Sequence, residues 1–207
     1  NMEVVMNFVN NHDLLRWLHH SDLESFKALY AYIFSTVGIP VAYYGDEQAF
    51  FGGVDPLNRE TLWGKRDTSS DMYQYFKTIL SFREKTQFFT FPQIQRLVDE
   101  SIYTFTRGHV FFAFTNSKEV EVRDITQHEF QEGTILCNLF NAKQCTEVKD
   151  GTFKITLTNR EVKIMYPQHF NEEGVSESNA WKKAKEVWVG DMVYDLTKQG
   201  FSSSKQI

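Results

Sequence analysis

The sequence predicts an α/β segment followed by an all-β segment with the pattern of an antiparallel β-sandwich. Two observations support this fold class. Residues 4–85 alternate continuous apolar runs with helical periodicity, which is typical of strand–helix–strand units. After Thr86 the chain changes to short β-rich runs separated by turn residues, which indicates antiparallel strands. We place the boundary between the two segments near residue 88.

The N-terminal segment begins with the run VVMNFV at residues 4–9, which predicts a strand buried on both faces. Helical spacing of apolar residues follows. It predicts a helix that begins at a capping box formed by Ser21 and Glu24 and ends at Gly38. The run IPVAYYG at residues 39–45 predicts a second buried strand, so that strand, helix and strand form a βαβ unit.

A long polar loop from Asp46 to Ser69 precedes a second amphipathic helix, predicted at residues 71–85. Eight short runs then predict eight strands. They are QIQRLVD, SIYTFTRG, HVFFAFTN, EVEVRDI, GTILCNLF, CTEVKD, TFKITLTN and EVKIMYP. The pair Asp150-Gly151 between two of these runs is the strongest hairpin signal.

The overall charge argues against two classes of partner. The chain has 207 residues and a formal net charge of −5 at pH 7, and it contains no block of basic residues. Nucleic acid is therefore not an expected partner. No apolar run reaches the roughly 20 residues needed to span a bilayer, so we do not expect a membrane partner either.

The two cysteines, Cys137 and Cys145, lie on apolar runs around a polar turn, which would place them across a hairpin. Cross-strand cysteines can reach bonding distance, and a disulfide would imply an oxidising compartment. The alternative is two free, buried thiols.

Polar side chains follow both predicted parallel strands. FVNNHD ends the first, and YYGDEQAFFGGVDPLNRETLW follows the second. Because neighbouring parallel strands end at the same edge of a sheet, these side chains should lie close together. They are His12, Asp13, Asp46, Glu47, Asp55 and Arg59. Carboxylates accept hydrogen bonds from hydroxyls and arginine donates in a fixed fork, so the set suits a hydroxyl-rich ligand.

Each of these residues also has a purely structural interpretation. Asp13 could cap the following segment, His12 could be a hydrogen-bonded structural histidine, and Asp55 could be a turn former or the ion-pair partner of Arg59. The neighbouring His19 and His20 fit a solvated helix entry better than a metal site.

The polar C-terminal extension, residues 168–207, has no clear structural prediction. Its Trp181 and Trp188 could stack on sugar, although packing against other side chains is the commoner role of tryptophan.

The order and spacing of FVNNHD, GIPVAYYGDEQ and GGVDPLNRETLW resemble the C-terminal part of α-amylases, most closely the fungal-type secreted enzymes of glycoside hydrolase family 13. The likeness covers roughly residues 3–167. It implies that residues 1–88 are the last βαβα part of a (β/α)8 TIM barrel, with strands seven and eight. Residues 89–167 would be the β-sandwich domain, and residues 168–207 an extension of unknown structure.

By the same resemblance, Asp13 matches the carboxylate that supports the transition state. His12 matches a histidine that hydrogen-bonds the sugar being cleaved, and Asp55 and Arg59 match a pair that binds the same sugar. Asn10 and the pair Leu14-Leu15 depart from the usual family pattern.

The resemblance implies that the nucleophile and the acid/base come from barrel strands outside this chain, in an N-terminal barrel portion of the same protein. Retaining hydrolysis needs two carboxyl groups about 5–5.5 Å apart, and no residue pair here matches them. We therefore expect the complete protein to hydrolyse α-1,4-glucosidic bonds of an α-glucan and this chain alone to be inactive. Calcium is expected for the complete protein, with no ligands identified in this chain. The expected location is extracellular or in a lysosome- or vacuole-like compartment.

Two alternative functions stay open from the sequence. The first is a non-catalytic carbohydrate-binding or structural module, favoured by the absence of the two catalytic carboxyls. The second is an α-glucosidase or transglycosylase of the same superfamily.

Overall fold

A computed structural model describes residues 2–168. Helix α1 spans Leu23–Ser35 and helix α2 spans Asp71–Thr86. Strands β1 to β10 are, in order, Met6–Asn7, Ile39–Pro40, Gln93–Val98, Ile102–Arg107, Val110–Thr115, Glu121–Ile125, Ile135–Asn138, Asn141–Glu147, Phe153–Leu157 and Val162–Pro167. The predicted residue range 168–207, with Trp181 and Trp188, lies outside the described residues except for Gln168.

Strands β1 and β2 are parallel and are connected through α1, which confirms the predicted βαβ order. Met6 lies opposite Ile39, and Asn7 lies opposite Pro40. The predicted length and burial are wrong, because each strand has only two residues and a 3-10 helix occupies Met2–Val4. Met6 is 65% exposed. Within residues 2–168, β1 pairs with β2 alone, so its apolar side chains have no second neighbouring strand to pack beside.

Helix α1 begins one residue later than predicted. Its N-cap is Asp22, whose carboxylate accepts a hydrogen bond from Ser25 N at 2.8 Å, so the predicted Ser21–Glu24 capping box is not formed. The helix ends at Ser35, three residues before Gly38, which has a φ of +111°. Either Ser21 or Asp22 could cap a helix, and only the backbone geometry selects between them.

Helix α2 agrees with the prediction to one residue. Ser70 caps it by accepting from Tyr73 N. The side chains on its inner face are buried as the periodicity predicts, and they are Met72, Phe76, Ile79 and Phe82.

All eight predicted β-runs form strands. Six of them build an antiparallel sheet in the order β3-β4-β5-β10-β7-β8, and β6 and β9 form a separate antiparallel pair. The mixture of helices with antiparallel sheets is thereby confirmed. The assignment to a TIM barrel and a sandwich, and the domain boundaries, stay predictions.

Strand β5 is the centre of the core, since all six of its residues are buried. Alternate side chains point to opposite faces of a strand. Phe112 and Phe114 join a cluster with the inner faces of α1 and α2, whereas Phe111 and Ala113 join a second cluster with β6 and β9. The first cluster therefore joins residues from both sides of residue 88.

Arg107, on β4, connects the sheet to the end of α1. Its guanidinium is buried and donates to the backbone oxygens of Ser35 at 3.0 Å, Thr36 at 2.9 Å and Phe91 at 3.0 Å. Desolvation lowers the pKa of Arg107 to about 10. Carbonyl oxygens at a helix C-terminus attract cations, so this arginine fixes where α1 meets the sheet.

The Asp150-Gly151 turn forms as predicted, with positive φ at both residues. Lys149 and Thr152 exchange two backbone hydrogen bonds across it. The hairpin stops there, because the preceding strand β8 pairs with β7 and the following strand β9 pairs with β6. A turn sequence specifies local geometry, but it does not decide which strand each arm joins.

Candidate functional site

The loop that follows β1 carries His12 and Asp13, and Asn11 fixes its shape. The Asn11 side-chain oxygen accepts hydrogen bonds from Asp13 N at 2.8 Å and from Leu14 N at 3.0 Å. Asparagine favours this type of turn because its short side chain reaches the backbone two residues ahead. The turn projects His12 and Asp13 toward solvent.

Asn58 joins this loop to the segment GGVDPLNRE. Asn58 is fully buried, and its Nδ2 donates to the backbone oxygens of His12 and Leu14, both at 2.9 Å. Arg59 Nε also donates to His12 O, at 3.4 Å. The convergence of the two strand ends that the sequence predicts is therefore present.

Asp46 is the centre of a buried hydrogen-bond network beneath the loop. Its carboxylate accepts from Asn10 Nδ2 at 2.7 Å, from Tyr43 N at 3.2 Å and from the Tyr30 hydroxyl. Arg16 Nη1 donates to the same carboxylate at 3.0 Å. Burial raises the pKa of the Asp46 carboxyl, and these hydrogen bonds oppose the rise.

Arg16 extends the network to the third motif. It is fully buried, its Nε lies 3.1 Å from Asn58 O and 3.3 Å from a Glu60 carboxylate oxygen, and its guanidinium lies 4.5 Å from the centre of the Tyr43 ring. A buried cation is costly unless it is paired and hydrogen-bonded. Asp46, in the second motif, and Glu60, in the third, supply that pairing, so Arg16, three residues after the end of the first motif, connects the segments that carry the three motifs.

A close backbone approach completes the arrangement. A Cβ atom added to Gly52 would lie 1.9 Å from Leu57 O, so this position has no room for a side chain. Gly52 N also donates to Glu60 at 3.0 Å. The loop that bears Asp55 and Arg59 is thus folded tightly back on itself.

The four predicted site residues form two exposed pairs. His12 Nε2 lies 3.2 Å from an Asp13 oxygen, with side chains 63% and 71% exposed. Arg59 Nε lies 3.0 Å from an Asp55 oxygen, with side chains 49% and 57% exposed. The contact of Arg59 with the backbone oxygen of His12 joins the two pairs into one surface. Their proposed roles stay predictions.

The three other candidates, Glu47, His19 and His20, make contacts outside these two pairs. Glu47 contacts the start of α2, where its backbone oxygen accepts from the Ser70 hydroxyl at 3.2 Å. His19 lies against Phe51 O, and the His20 ring packs against Trp17. Within residues 2–168, no group of three or more His, Cys, Asp or Glu side chains is arranged to hold a metal ion.

Sequence reasoning underestimated the residues that position this surface. The family resemblance marks Asn10 only as a departure from the usual pattern and gives no role to Asn58 or Glu60, yet all three belong to the network. A signal existed in the sequence, since Arg16 stands between Leu15 and Trp17. A charged residue between large apolar ones is often buried with a partner.

The predicted hairpin around the cysteines is confirmed. Cys137 and Cys145 are opposite each other on β7 and β8 and form a disulfide.

As for membrane insertion, neither helix of the described range is sufficiently long and apolar to cross a bilayer.

Several known proteins to which the chain is similar are α-amylases. Alpha-amylase 3 of Schizosaccharomyces pombe is 30% identical over 175 residues, which cover 79% of this chain and 31% of that protein. Alpha-amylase 1 of Schwanniomyces occidentalis is 40% identical over 81 residues, covering 38% of this chain and 16% of that protein. The chain thus spans less than a third of the length of these relatives. No family model matches it.

Solved structures share its fold. An α-amylase from Malbranchea cinnamomea superposes with a TM-score of 0.75 at 22% identity, over 81% of this chain and 38% of that one. An α-amylase from Geobacillus thermoleovorans, solved with acarbose, gives 0.69 at 19% identity, over 82% of this chain and 40% of that one. These relatives and structures confirm the resemblance carried by the three motifs, and the chain is a homologue of the C-terminal part of family 13 α-amylases.

Proposed function

We propose that this chain is the C-terminal part of an α-amylase-type glycoside hydrolase that cleaves α-1,4-glucosidic bonds of starch or glycogen. The observation that supports it most is the convergence of the three family motifs on one surface through Asn58, Arg16 and Asp46. Buried polar networks of this kind hold loops in one geometry, which ligand recognition requires.

In this proposal the exposed pairs bind the sugar next to the bond that is cleaved. His12 and Arg59 donate hydrogen bonds to sugar hydroxyls, and Asp55 accepts from them. The Asp13 carboxylate stabilises the positive charge that develops on the sugar ring as the bond breaks. Since that charge is absent from the ground state, the contribution of Asp13 is made in the transition state.

The nucleophile and the acid/base would come from a part of the polypeptide outside these 207 residues, through a retaining mechanism. The exposed apolar side chains of β1 and its neighbours support such a partner. Val4, Met6 and Phe8 are 65%, 65% and 51% exposed, and further strands of a barrel would cover them.

Calcium in the complete protein is part of the same proposal, although the roles given to His12, Asp13, Asp55 and Arg59 do not depend on it. The disulfide supports an extracellular or otherwise oxidising location.

The test is the effect of Asp13→Asn on starch hydrolysis by the complete protein. We expect kcat to fall by about a hundredfold or more while KM changes little, because the lost interaction belongs to the transition state. A change confined to KM would contradict the proposed role of Asp13. The 207-residue chain alone should release no reducing sugar, and if it did, the assignment of the catalytic carboxyls to another part would be wrong.

A non-catalytic carbohydrate-binding module is the second candidate, and one observation favours it. Asp13 and Asp55 are both exposed and each contacts a neighbouring basic side chain, an arrangement suited to binding hydroxyls rather than to transferring a proton. A complete protein that binds starch without cleaving it would support this candidate instead.

A further inference from the structure

A polar cavity lies away from the predicted site. It has a volume of about 520 Å³ and opens between the first turns of α1 and α2 on one side and turns of the sheet on the other. None of His12, Asp13, Asp55 or Arg59 lines it. The proposed hydrolytic function therefore makes no use of this cavity.

Side-chain amides on the β7–β8 hairpin form one wall. Asn138 is buried, and its Nδ2 donates to Gln144 Oε1 at 2.9 Å. Gln144 accepts this hydrogen bond through its side-chain oxygen, which leaves its amide nitrogen as a donor for a ligand. The exposed Asn141 lies on the same hairpin. Amides offer donors and acceptors together, which suits a ligand rich in hydroxyl groups.

An aromatic pair forms the adjoining wall. The rings of Tyr75 and Phe140 are stacked at 4.9 Å between centroids and 12° between planes, and both side chains are partly exposed in the cavity. The Tyr75 hydroxyl donates to Lys27 O at 3.2 Å, which fixes the ring. Rigid aromatic surface beside a few polar groups is typical of small-ligand sites.

The charged groups that line the cavity all have a partner of opposite charge. Lys27 lies 2.7 Å from an Asp71 oxygen and 3.8 Å from a Glu24 oxygen. Arg160, on the turn between β9 and β10, pairs with Asp22, and Glu161 lies 3.8 Å from Lys163. Three carboxylates and two cations line the cavity, so it lacks the excess of positive charge that a phosphate needs. In the described part of the chain, no group of three or more His, Cys, Asp or Glu side chains is arranged to hold a metal ion. The chemistry favours a neutral ligand.

The walls are fixed before any ligand binds. The disulfide joins Cys137 and Cys145, the residues directly adjacent to Asn138 and Gln144. The Arg160 turn is held to the rest of the chain by the Asp22 pair and by a hydrogen bond from Arg160 N to Ser117 O at 2.8 Å. A preformed site avoids the entropic cost of ordering its side chains on binding.

We propose that this cavity binds a neutral oligosaccharide, with the Asn141 and Gln144 amides contacting hydroxyls and Phe140 contacting the apolar face of a sugar ring. The location and the ligand class follow from the cavity itself. The narrower identification of that sugar as an α-1,4-glucan rests on the proposed function.

The test is a calorimetric titration of the 207-residue chain with maltoheptaose and, separately, with cellohexaose. Asn141→Ala combined with Gln144→Ala should weaken binding about tenfold, the factor expected for the loss of two ordinary hydrogen bonds. Both positions are exposed, but Gln144 also accepts a hydrogen bond from the buried Asn138 amide, so thermal unfolding of the double variant first establishes that it is folded at the temperature of the titration. Phe140→Leu should weaken binding by a similar factor while preserving most of the packing volume. Gln131→Ala, an exposed glutamine outside the cavity, is the matched control and should change nothing.

The proposal is overturned if the chain binds neither sugar at millimolar concentration, or if the cavity variants and the control bind equally well. It is also overturned if His12→Ala abolishes binding while the cavity variants leave it intact, because the sugar would then occupy the predicted site. Cavity-dependent binding of cellohexaose alone would support this proposal and contradict the α-glucan substrate of the proposed function. Cavity-dependent binding of maltoheptaose supports the proposal whatever the activity of the complete protein.

Discussion

The N-terminal loops and the C-terminal sheet are stabilised by different interactions. The loops surround two fully buried charges, Arg16 and Asp46, whereas the sheet packs apolar side chains on both faces of β5 and closes one hairpin with a disulfide. Loops have no ladder of backbone hydrogen bonds, so their buried polar groups need side-chain partners. The difference shows that the polar surface depends on a small number of buried charged contacts, so the loss of any one of them should cost more than the loss of a single apolar contact in the sheet.

The largest effect should come from Asp46→Asn, which keeps the shape of the side chain and removes its charge. We expect a loss of about 4 kcal/mol in the free energy of unfolding, because Arg16 would remain buried without its main partner. Urea denaturation measures it. The matched control is Asp13→Asn, an exposed carboxylate whose substitution should change stability by less than about 0.5 kcal/mol. If both variants lost the same free energy of unfolding, the buried Asp46–Arg16 pair would not be what stabilises the N-terminal loops.

In the sheet, replacing both Cys137 and Cys145 by serine should lower the free energy of unfolding by about 2–3 kcal/mol. The two residues are 8 positions apart, and closing a short loop restricts the unfolded chain by that amount. Denaturation with and without a reductant measures the effect, since the reductant should destabilise the native chain and leave the double variant unchanged. If the native chain were insensitive to reduction, the disulfide would not stabilise the sheet.

Replacing a glycine by alanine should destabilise the N-terminal loop and the C-terminal turn for different reasons, a steric clash in the first and an unfavourable φ in the second. Gly52→Ala should cost about 2 kcal/mol, because the new methyl group would meet the Leu57 carbonyl and displace the loop. Gly151→Ala has open space and only an unfavourable φ of +69°, so about 1 kcal/mol is expected. Backbone NMR shifts should move at residues 57–60 for the first variant and stay local to the turn for the second. The reverse order of costs would show that the loop is more adaptable than its geometry indicates.

The smallest effect concerns an ion pair at the edge of the sheet. The hydrogen bond from Arg123 to Asp99, at 2.8 Å, holds the pKa of Asp99 down at about 2. A carboxyl group with a lowered folded-state pKa stabilises the fold above its ordinary pKa, near 3.9, and this contribution is lost as the pH falls toward about 2. Arg123→Gln should raise the pKa of Asp99 toward its ordinary value and reduce the pH dependence of stability in this window.

An NMR titration of the Asp99 carboxyl group measures that change directly. Lys154→Gln removes the partner of an exposed pair, Lys154–Asp124 at 3.7 Å, and is the control. The titration of Asp99 should be unchanged in the control, and a similar shift in both variants would contradict a specific Arg123 contact.

Much of the fold was predictable because its signals are local. The periodicity of α2 placed its inner face correctly, and all eight β-runs after Thr86 form strands. Other features were mispredicted because they depend on distant partners. The apolar run at residues 4–9 looks buried in sequence, but its exposure is decided by which strands lie beside β1.

In the candidate site, too, the residues with a local sequence signal were predicted, and those that depend on a distant partner were not. The motifs located His12, Asp13, Asp55 and Arg59, and the structure brings their loops together. The supporting role of Asn58 could not be predicted, since it is 46 positions from His12, whose backbone oxygen it contacts. Sequence spacing carries little information about a contact between two loops.

The sequence by itself determined the order of helices and strands, the placement of Cys137 and Cys145 across a hairpin, and the motifs that mark an α-amylase homologue. Only the tertiary structure decided that Asp46 and Arg16 are buried together, that the Asp150-Gly151 turn connects strands of two different sheets, and that a polar cavity lies beside Phe140. The physical reason is the distance along the chain over which each interaction acts. Periodicity, capping and turn preferences act over a few residues, whereas burial, charge pairing and cavities depend on elements that meet only when the chain is folded.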